Sequence, residues 1–427
     1  MASYPDTVTL SPKSGINRDI AVPGSKSLTN RALVVAALAA GESCLRGALI
    51  AEDSEVMIDA LTELGIAVQT DGTTFRVAGQ GGRIPAKAAM LDLKLSGTSI
   101  RFLTALVALG AGEYILDGNA RMRQRPIQDL LTALSALGVT VDAVFGNGCP
   151  PVRVVAQGLQ GGVTQIAGDR SSQYLSALLM AAPYARAPVT IEVSGTLQSK
   201  PFIDMTLALM QDFGVAVERC GYARFSVAPQ RYTARDYLIE GDAMAAGYFW
   251  AIAAVTGGRV KVTNVGHHSV QGDKRLADVL GQMGCQVRWT ASSCEVTGPS
   301  GRLQGGTFDL NDMPDQAQTL AVLALFADSP VTITNVWNMR IKETDRLSAL
   351  YTELRKFGVR VDEAHDAITV YPLHGAPSRP VTIDTYGDHR MAMAFAVAGM
   401  KLPGVTINNP SCVAKTFPDF FEVLAAL

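Results

Sequence analysis

The chain has 427 residues, 48% of them hydrophobic and 18% charged, with 40 Gly and 20 Pro. That apolar content excludes a disordered chain, and a formal net charge of −2 excludes a general binder of nucleic acid or membrane surfaces, which needs a basic excess. No apolar run approaches the ~18–20 residues that cross a bilayer.

The N-terminus does not read as a signal peptide. Six scattered cysteines without a C-x-x-C pair are expected to be reduced thiols of a cytoplasmic protein. Five histidines in no ligand-like spacing give metal little support, and His267-His268 reads as a solvated turn. The length predicts two or three domains.

In chain order, short strands are expected over 7–10 and 19–22. A helix apolar almost all round begins near Ser27 (SLTNRALVVAALAA), and an amphipathic helix then closes at Gly65 (ALTELGIAV). The alternation recurs. Buried helices begin near Thr98, Ser172, Ala243, Gln316 and His389. Amphipathic helices close at Gly138 (ALSALGVTV), Gly214 (LMQDFGVAV), Gly284 (LGQMGCQV) and Gly358 (ELRKFGVRV). A sixth, over 417–427, ends the chain where its strand should begin.

The glycines are 73, 76, 70 and 74 residues apart. Each fits a helix C′ position in the left-handed region, followed by a strand of period two. Two helix series sharing one period predict six copies of one unit, three per half. The N-terminal strands supply the pairing that the sixth copy lacks, so the chain crosses between halves twice. The expected domains are 1–22 with 238–427, and 23–237.

A helix N-terminus offers unpaired N–H groups and a positive dipole end, which attract anions. In the first half the buried helices start with Lys26-Ser27, Ser96-Gly97-Thr98 and Ser171-Ser172-Gln173; in the second they start with Asp242, Asp315 and Asp388. Plain N-capping explains any one of these. The amphipathic helices, however, are expected to open on cations: Arg125, Lys200, Lys274-Arg275, Lys342 and Lys415. The dipole disfavours cations there, and a shared anionic ligand explains them. Arg346, three residues after Glu343 and four after Lys342, is expected to share one helix face with both. The pattern predicts helix starts from both halves around a common basic cleft that keeps a few carboxylates for proton transfer.

At these residues the chain resembles the 5-enolpyruvylshikimate-3-phosphate synthase family. PGSKSLTNRA, GNARMRQRPIQDL, SSQYLSALLMAAP, QSKPFID, IKETDRL, YGDHRMAMA and AKTFPDFF match that family's motifs in order, from about residue 6 to the C-terminus. The resemblance implies a two-domain α/β (α+β) enolpyruvyl transferase fold of six βαβαββ repeats, three per domain, with the active site in the interdomain cleft. It implies transfer of the enolpyruvyl group of phosphoenolpyruvate to the 5-hydroxyl of shikimate 3-phosphate. Phosphate leaves by addition and elimination through a tetrahedral intermediate, on the route to chorismate and the aromatic amino acids. It implies no metal or organic cofactor, a monomer, and the herbicide glyphosate as inhibitor.

By the same resemblance, Lys26, Ser27 and Arg31 hold shikimate 3-phosphate, with Lys26 also reaching phosphoenolpyruvate. Ser171, Ser172, Gln173 and Ser199 bind the 3-phosphate and ring hydroxyls. Gly97, Arg125, Arg346, Arg390 and Lys415, with Gln173, bind phosphoenolpyruvate. Asp315 holds the 5-hydroxyl and accepts its proton, with Asn338 and Lys342 near the same substrate. Glu343 is the candidate for protonating the methylene carbon. Which of Lys26, Asp315 and Glu343 moves which proton is left open.

Leu95, Phe102 and Phe202 stand where the family commonly has Asn, Pro and Tyr. Phe102 and Leu95 are expected to shift the helix carrying Gly97 and weaken glyphosate relative to phosphoenolpyruvate. The rival readings are a UDP-N-acetylglucosamine enolpyruvyl transferase, whose usual loop Cys is absent from residues 110–125, and a non-catalytic anion-binding scaffold.

Overall fold

A computed structural model describes residues 4–427. The chain forms two compact units, one from the N-terminal stretch ending at Pro23 together with Glu240–Leu427, the other from Gly24–Ile239. Each has its own apolar core.

The Gly24–Ile239 unit carries helices α1 (Lys26–Leu38), α2 (Glu52–Glu63), α3 (Gly97–Val107), α4 (Gln128–Ala136), α5 (Ser172–Ala181) and α6 (Lys200–Asp212). The other carries α7 (Ala243–Thr256), α8 (Leu276–Gln282), α9 (Ala317–Leu323), α10 (Arg346–Arg355), α11 (His389–Gly399) and α12 (Phe420–Ala425). The odd-numbered helices are the buried series; every residue of α3, α9 and α11 is buried. The even-numbered helices are amphipathic. In α2, Val56, Met57, Ala60 and Leu61 face inward, and Asp59, Thr62 and Glu63 face water.

The recurring glycines end these helices as expected. Gly65, Gly138, Gly214, Gly284 and Gly358 have φ of 83°, 87°, 87°, 98° and 80°. The Gly65 N–H donates to the Thr62 carbonyl and the Ile66 N–H to the Leu61 carbonyl, and the pairing recurs at Gly138, Gly214 and Gly284. This double bond satisfies the orphan carbonyls of the last turn and throws the chain into the next strand.

The sheets repeat as well. Ala88–Asp92 runs parallel to Ala111–Asp117, with α3 as the crossover that parallel strands require. Ala111–Asp117 pairs antiparallel with Val152–Gln157, which pairs antiparallel with Thr140–Ala143. Four further four-stranded sheets have this order, and a three-stranded one ends the series.

Two strands are exchanged. Asn17–Ile20 precedes α1 but pairs with Arg259–Val262, which follows α7. Asp236–Leu238 precedes α7 but pairs with Ala40–Arg46, which follows α1. This corrects one expectation. Only Thr7–Thr9 completes the sixth copy, against Val405–Asn408; the second N-terminal strand opens the fourth.

A side chain at a C′ glycine costs about 1–2 kcal/mol from the left-handed backbone alone. Gly214→Ala should lose about that much in urea unfolding, since a Cβ there meets only Thr233 Oγ1 at 3.5 Å. Gly65→Ala should lose more, because its Cβ falls 2.8 Å from Pro85 Cβ. Equal losses would contradict this account.

Candidate active site

In the Gly24–Ile239 unit, three buried helices start on hydroxyl residues. Ser25 Oγ caps α1 by accepting from the Leu28 N–H at 3.4 Å, and Ser171 Oγ caps α5 by accepting from Gln173 N–H at 3.3 Å. Ser96 makes no capping bond and pairs with Ser99 Oγ at 2.7 Å. Ser199 precedes α6 in a left-handed conformation (φ 57°) and also makes no capping bond. Capping therefore accounts for Ser25 and Ser171 but not for Ser96 and Ser199.

Arg125 is the most telling side chain here. It is 4% exposed, and its Nε and Nη1 have no partner. Burying two guanidinium nitrogens without acceptors is costly, and an anion beside them would remove that cost. Gly97 makes the approach possible, since a Cβ there would stand 2.5 Å from Arg125 Nη1 and 2.7 Å from Cζ and Nη2.

Around this pair, Gln173 Nε2 donates to Thr98 Oγ1 at 3.2 Å, and its Oε1 accepts from Arg101, tying α5 to α3. Lys26 Nζ lies 3.2 Å from Asp53 Oδ2, a carboxylate of the first turn of α2.

Arg31 is placed differently from a surface cation. It is 1% exposed, and burial pulls it down to about 9, so it is still charged at neutral pH. Nε donates to Thr206 Oγ1 (2.8 Å), Nη1 to the Ser27 carbonyl (3.0 Å), and Nη2 to Ser176 Oγ and the Phe202 carbonyl (both 3.3 Å). Four of its five N–H groups are thus engaged. Its guanidinium also stacks over the rings of Phe102 (5.1 Å) and Phe202 (5.8 Å). Two of the residues that depart from the family pattern therefore grip this one arginine.

The other unit holds a mixed-charge cluster. Arg346 is 1% exposed and binds three carboxylates: Asp388 through Nε at 2.6 Å and Nη2 at 3.2 Å, Asp315 through Nη1 at 2.8 Å, and Glu343 through Nη2 at 2.9 Å. Asp315 also receives Lys342 at 3.4 Å and Arg390 at 3.3 Å, and Lys415 stands 3.8 Å from Glu343. Burial alone would raise the Asp315 carboxyl, but Lys342, Arg390 and Arg346 together hold it well below the usual range. Asn338, on the turn Trp337–Ile341, is buried with its Oδ1 unpartnered.

The three aspartates separate. Asp242 Oδ1 accepts from the Met244 N–H at 2.8 Å, and Asp388 Oδ1 from the Arg390 N–H at 2.9 Å. Asp315 lies inside the turn Pro314–Gln316, whose cap position is Met313. The helix-start cations also divide. Lys200 lies over Tyr222, Lys274 donates to the His267 and Ser269 carbonyls, and Arg275 pairs with Asp312. Those three are structural.

Two expectations need correction. α10 begins at Arg346, so Lys342 and Glu343 precede it rather than share its face, and Lys415 lies five residues before α12. The cluster is assembled by the reach of the Arg346 side chain, not by helical spacing. Sequence reasoning missed Asp53 and Arg101, because an acid in a first helical turn and an arginine inside an apolar helix carry no signal of their own.

Asp388→Asn keeps a capping side chain but removes the charge opposite Arg346. Breaking such a buried pair costs about 3–5 kcal/mol. The three tryptophans all lie in this unit, so their fluorescence in a urea titration reads the loss directly. Because the folded Asp315 carboxyl is depressed, its stabilisation is full above the ordinary value of 3.8 and fades as pH falls below it. The same fluorescence should show Asp315→Asn flattening the acid limb of stability against pH.

A sequence model of the family described as EPSP synthase (3-phosphoshikimate 1-carboxyvinyltransferase) matches residues 10–424. The chain is 51% identical over 409 residues to the 3-phosphoshikimate 1-carboxyvinyltransferase of Nostoc punctiforme, covering 95% of each chain. It is 46% identical to the enzyme of that name from Marinomonas, covering 98% of each. Among solved structures, an EPSP synthase from Acinetobacter baumannii matches with a TM-score of 0.82 at 23% identity, over 98% of both chains. The enolpyruvyl transferase NikO from Streptomyces tendae matches at 0.75 and 19% identity, over 98% of this chain and 96% of that one. These two share the fold. With the family's motifs, repeats and charged side chains all in place, this chain belongs to the EPSP synthase (3-phosphoshikimate 1-carboxyvinyltransferase) family.

Proposed function

We propose that this chain transfers the enolpyruvyl group of phosphoenolpyruvate to the 5-hydroxyl of shikimate 3-phosphate, and that both charged constellations serve this one reaction. Lys26, Ser27, Ser171, Ser172, Gln173 and Ser199 hold shikimate 3-phosphate with Asp315, Asn338 and Lys342. Arg31 joins them through its one remaining N–H. Gly97, Arg125, Arg346, Arg390 and Lys415 hold phosphoenolpyruvate, with Lys26 and Gln173 touching both substrates. The observation that carries the reading is the Arg125 guanidinium, buried beside a glycine with Nε and Nη1 unpartnered.

Proton transfer follows from competition for cations. In the ligand-free protein Asp315 is too acidic to accept a hydroxyl proton, because Lys342, Arg346 and Arg390 crowd it. Substrate phosphate and carboxylate groups draw on the same cations, and each ion drawn away makes the carboxylate more basic. Asp315 then takes the 5-hydroxyl proton as that oxygen bonds to C2 of phosphoenolpyruvate. Glu343, made more basic as a bound anion draws Lys415 away, takes up a proton from solvent and delivers it to C3. The Glu343 carboxylate then takes a proton back from C3 as phosphate leaves C2 with the C–O bonding pair, which completes the elimination.

A UDP-N-acetylglucosamine substrate is not favoured, since the family model and the half-identical relatives carry the shikimate-pathway name. The reading includes a monomer in the cytoplasm, in keeping with six cysteines that all stand as free thiols. It includes glyphosate as a ligand of the phosphoenolpyruvate site. Phe102 lies in α3 beneath Arg31, so Phe102→Pro should change the ratio of glyphosate to phosphoenolpyruvate affinity. An unchanged ratio of inhibition constant to KM would remove that part.

Phosphate release should require both substrates together. Asp315→Asn should lower kcat by roughly 10²–10⁴-fold, the range of general acid–base catalysis, while phosphoenolpyruvate binding persists. Gly97→Ala pushes Arg125 aside and should raise the KM for phosphoenolpyruvate about 10–100-fold, one charge-assisted bond of about 1.5–3 kcal/mol. The KM for shikimate 3-phosphate should stay near its wild-type value. Release of phosphate without shikimate 3-phosphate would overturn the proposed reaction.

A further inference from the structure

Asp273 lies beside the Asp315 cluster, and the roles assigned above leave it without a task. It sits on the tight turn Gly272–Arg275, pinned to the start of α7 by two glutamines. Gln271 Oε1 accepts from the Ala243 N–H at 3.1 Å, and its Nε2 donates to the Gly241 carbonyl at 2.7 Å. Gln316 Nε2 donates to the Asp273 carbonyl at 3.4 Å and the Ala243 carbonyl at 3.5 Å.

So firm a turn fixes where the Asp273 side chain points. It is 5% exposed, and its Oδ1 has no hydrogen-bond partner. The cap position of the turn is Gln271, so Asp273, inside the turn, has no capping role. Its neighbours on the turn are engaged elsewhere, Lys274 with backbone carbonyls and Arg275 with Asp312. The charged groups that act on Asp273 are Asp315, Arg390, Asp242 and Lys342. Arg390 in turn is held by Asp315 at 3.3 Å and is acted on by Tyr248, Asp273 and Asp242.

We propose that Asp273 is a positioning residue for Arg390: its buried carboxyl competes with Asp315 and with an incoming anion for that guanidinium. Neutral, it leaves Arg390 to the ligand; ionised, it withdraws Arg390 and repels the ligand. Burial first, and then the Asp315 charge, push the Asp273 carboxyl up to about 7, with Arg390 and Lys342 opposing. The exchange therefore falls near neutral pH. The inference rests on Arg390 as a ligand of phosphoenolpyruvate.

The KM for phosphoenolpyruvate is measured at about pH 6 and about pH 8 in wild type and Asp273→Asn, on either side of the carboxyl's transition. Ionisation of phosphoenolpyruvate affects both proteins alike, so the ratio of the two KM values isolates Asp273. That ratio should be near one at the lower pH and rise about three- to tenfold at the higher, the size of an interaction worth up to one pKa unit. A purely structural role would lower stability or kcat and leave the KM profiles parallel, which would overturn the proposal. Should Asp273→Asn fail to fold, Asp273→Ser is the second neutral variant and should give the same ratio. Arg390→Ala at the lower pH separates the two levels. A raised KM there with parallel profiles removes the role of Asp273 alone. An unchanged KM removes Arg390 from the site and the proposal with it.

Discussion

A buried guanidinium needs compensating charge, and that need organises the unit carrying the carboxylates. Arg346 has almost no access to water and engages Asp388, Asp315 and Glu343 at once. Each carboxylate belongs to a different piece of chain: the cap of α11, the turn before α9, and the loop before α10. Removing water from a charge costs several kcal/mol, which only close and well-oriented partners return. The network therefore fixes the mutual geometry of three segments that local hydrogen bonding leaves independent. It also leaves Lys342, Arg390 and Lys415 as a second tier of cations on Asp315 and Glu343.

The Gly24–Ile239 unit meets a different problem. Its cations are buried with fewer carboxylates, and they are satisfied by hydroxyls, carbonyls and aromatic faces. Arg31 shows the solution in full, with four hydrogen bonds and two ring faces. Arg125 shows the solution withheld, with two nitrogens left open next to Gly97. A folded protein tolerates such a donor where a ligand completes it. The aromatic residues at 102 and 202, which depart from the commoner family pattern, both stack on the Arg31 guanidinium.

Repetition explains how such different electrostatics arise on one scaffold. Five of the six copies end their amphipathic helix on a left-handed glycine, and in four the buried helix is the crossover between neighbouring parallel strands. The helix starts then carry either hydroxyls or carboxylates, according to the half. The exchange of Asn17–Ile20 and Asp236–Leu238 adds a covalent consequence. Each strand serves a sheet other than the one its own following helix belongs to; one unit joins the N-terminal stretch to Glu240–Leu427, while the other is the continuous stretch Gly24–Ile239.

The six copies, their helix classes and the glycines at 65, 138, 214, 284 and 358 were legible from sequence alone, because periodicity and φ preference are local properties. The family motifs were legible for the same reason, as runs of neighbouring residues. The expected helical face of Lys342, Glu343 and Arg346 failed because spacing says nothing about where a helix begins. Tertiary structure alone decided which N-terminal strand completes which sheet, since both alternate acceptably and pairing depends on distant partners. It alone decided that Arg31 is enclosed, that two nitrogens of Arg125 are left open, and that Asp273 Oδ1 is buried without a hydrogen-bond partner. Burial and charge pairing are sums over groups far apart in the chain, and no window of sequence contains those sums.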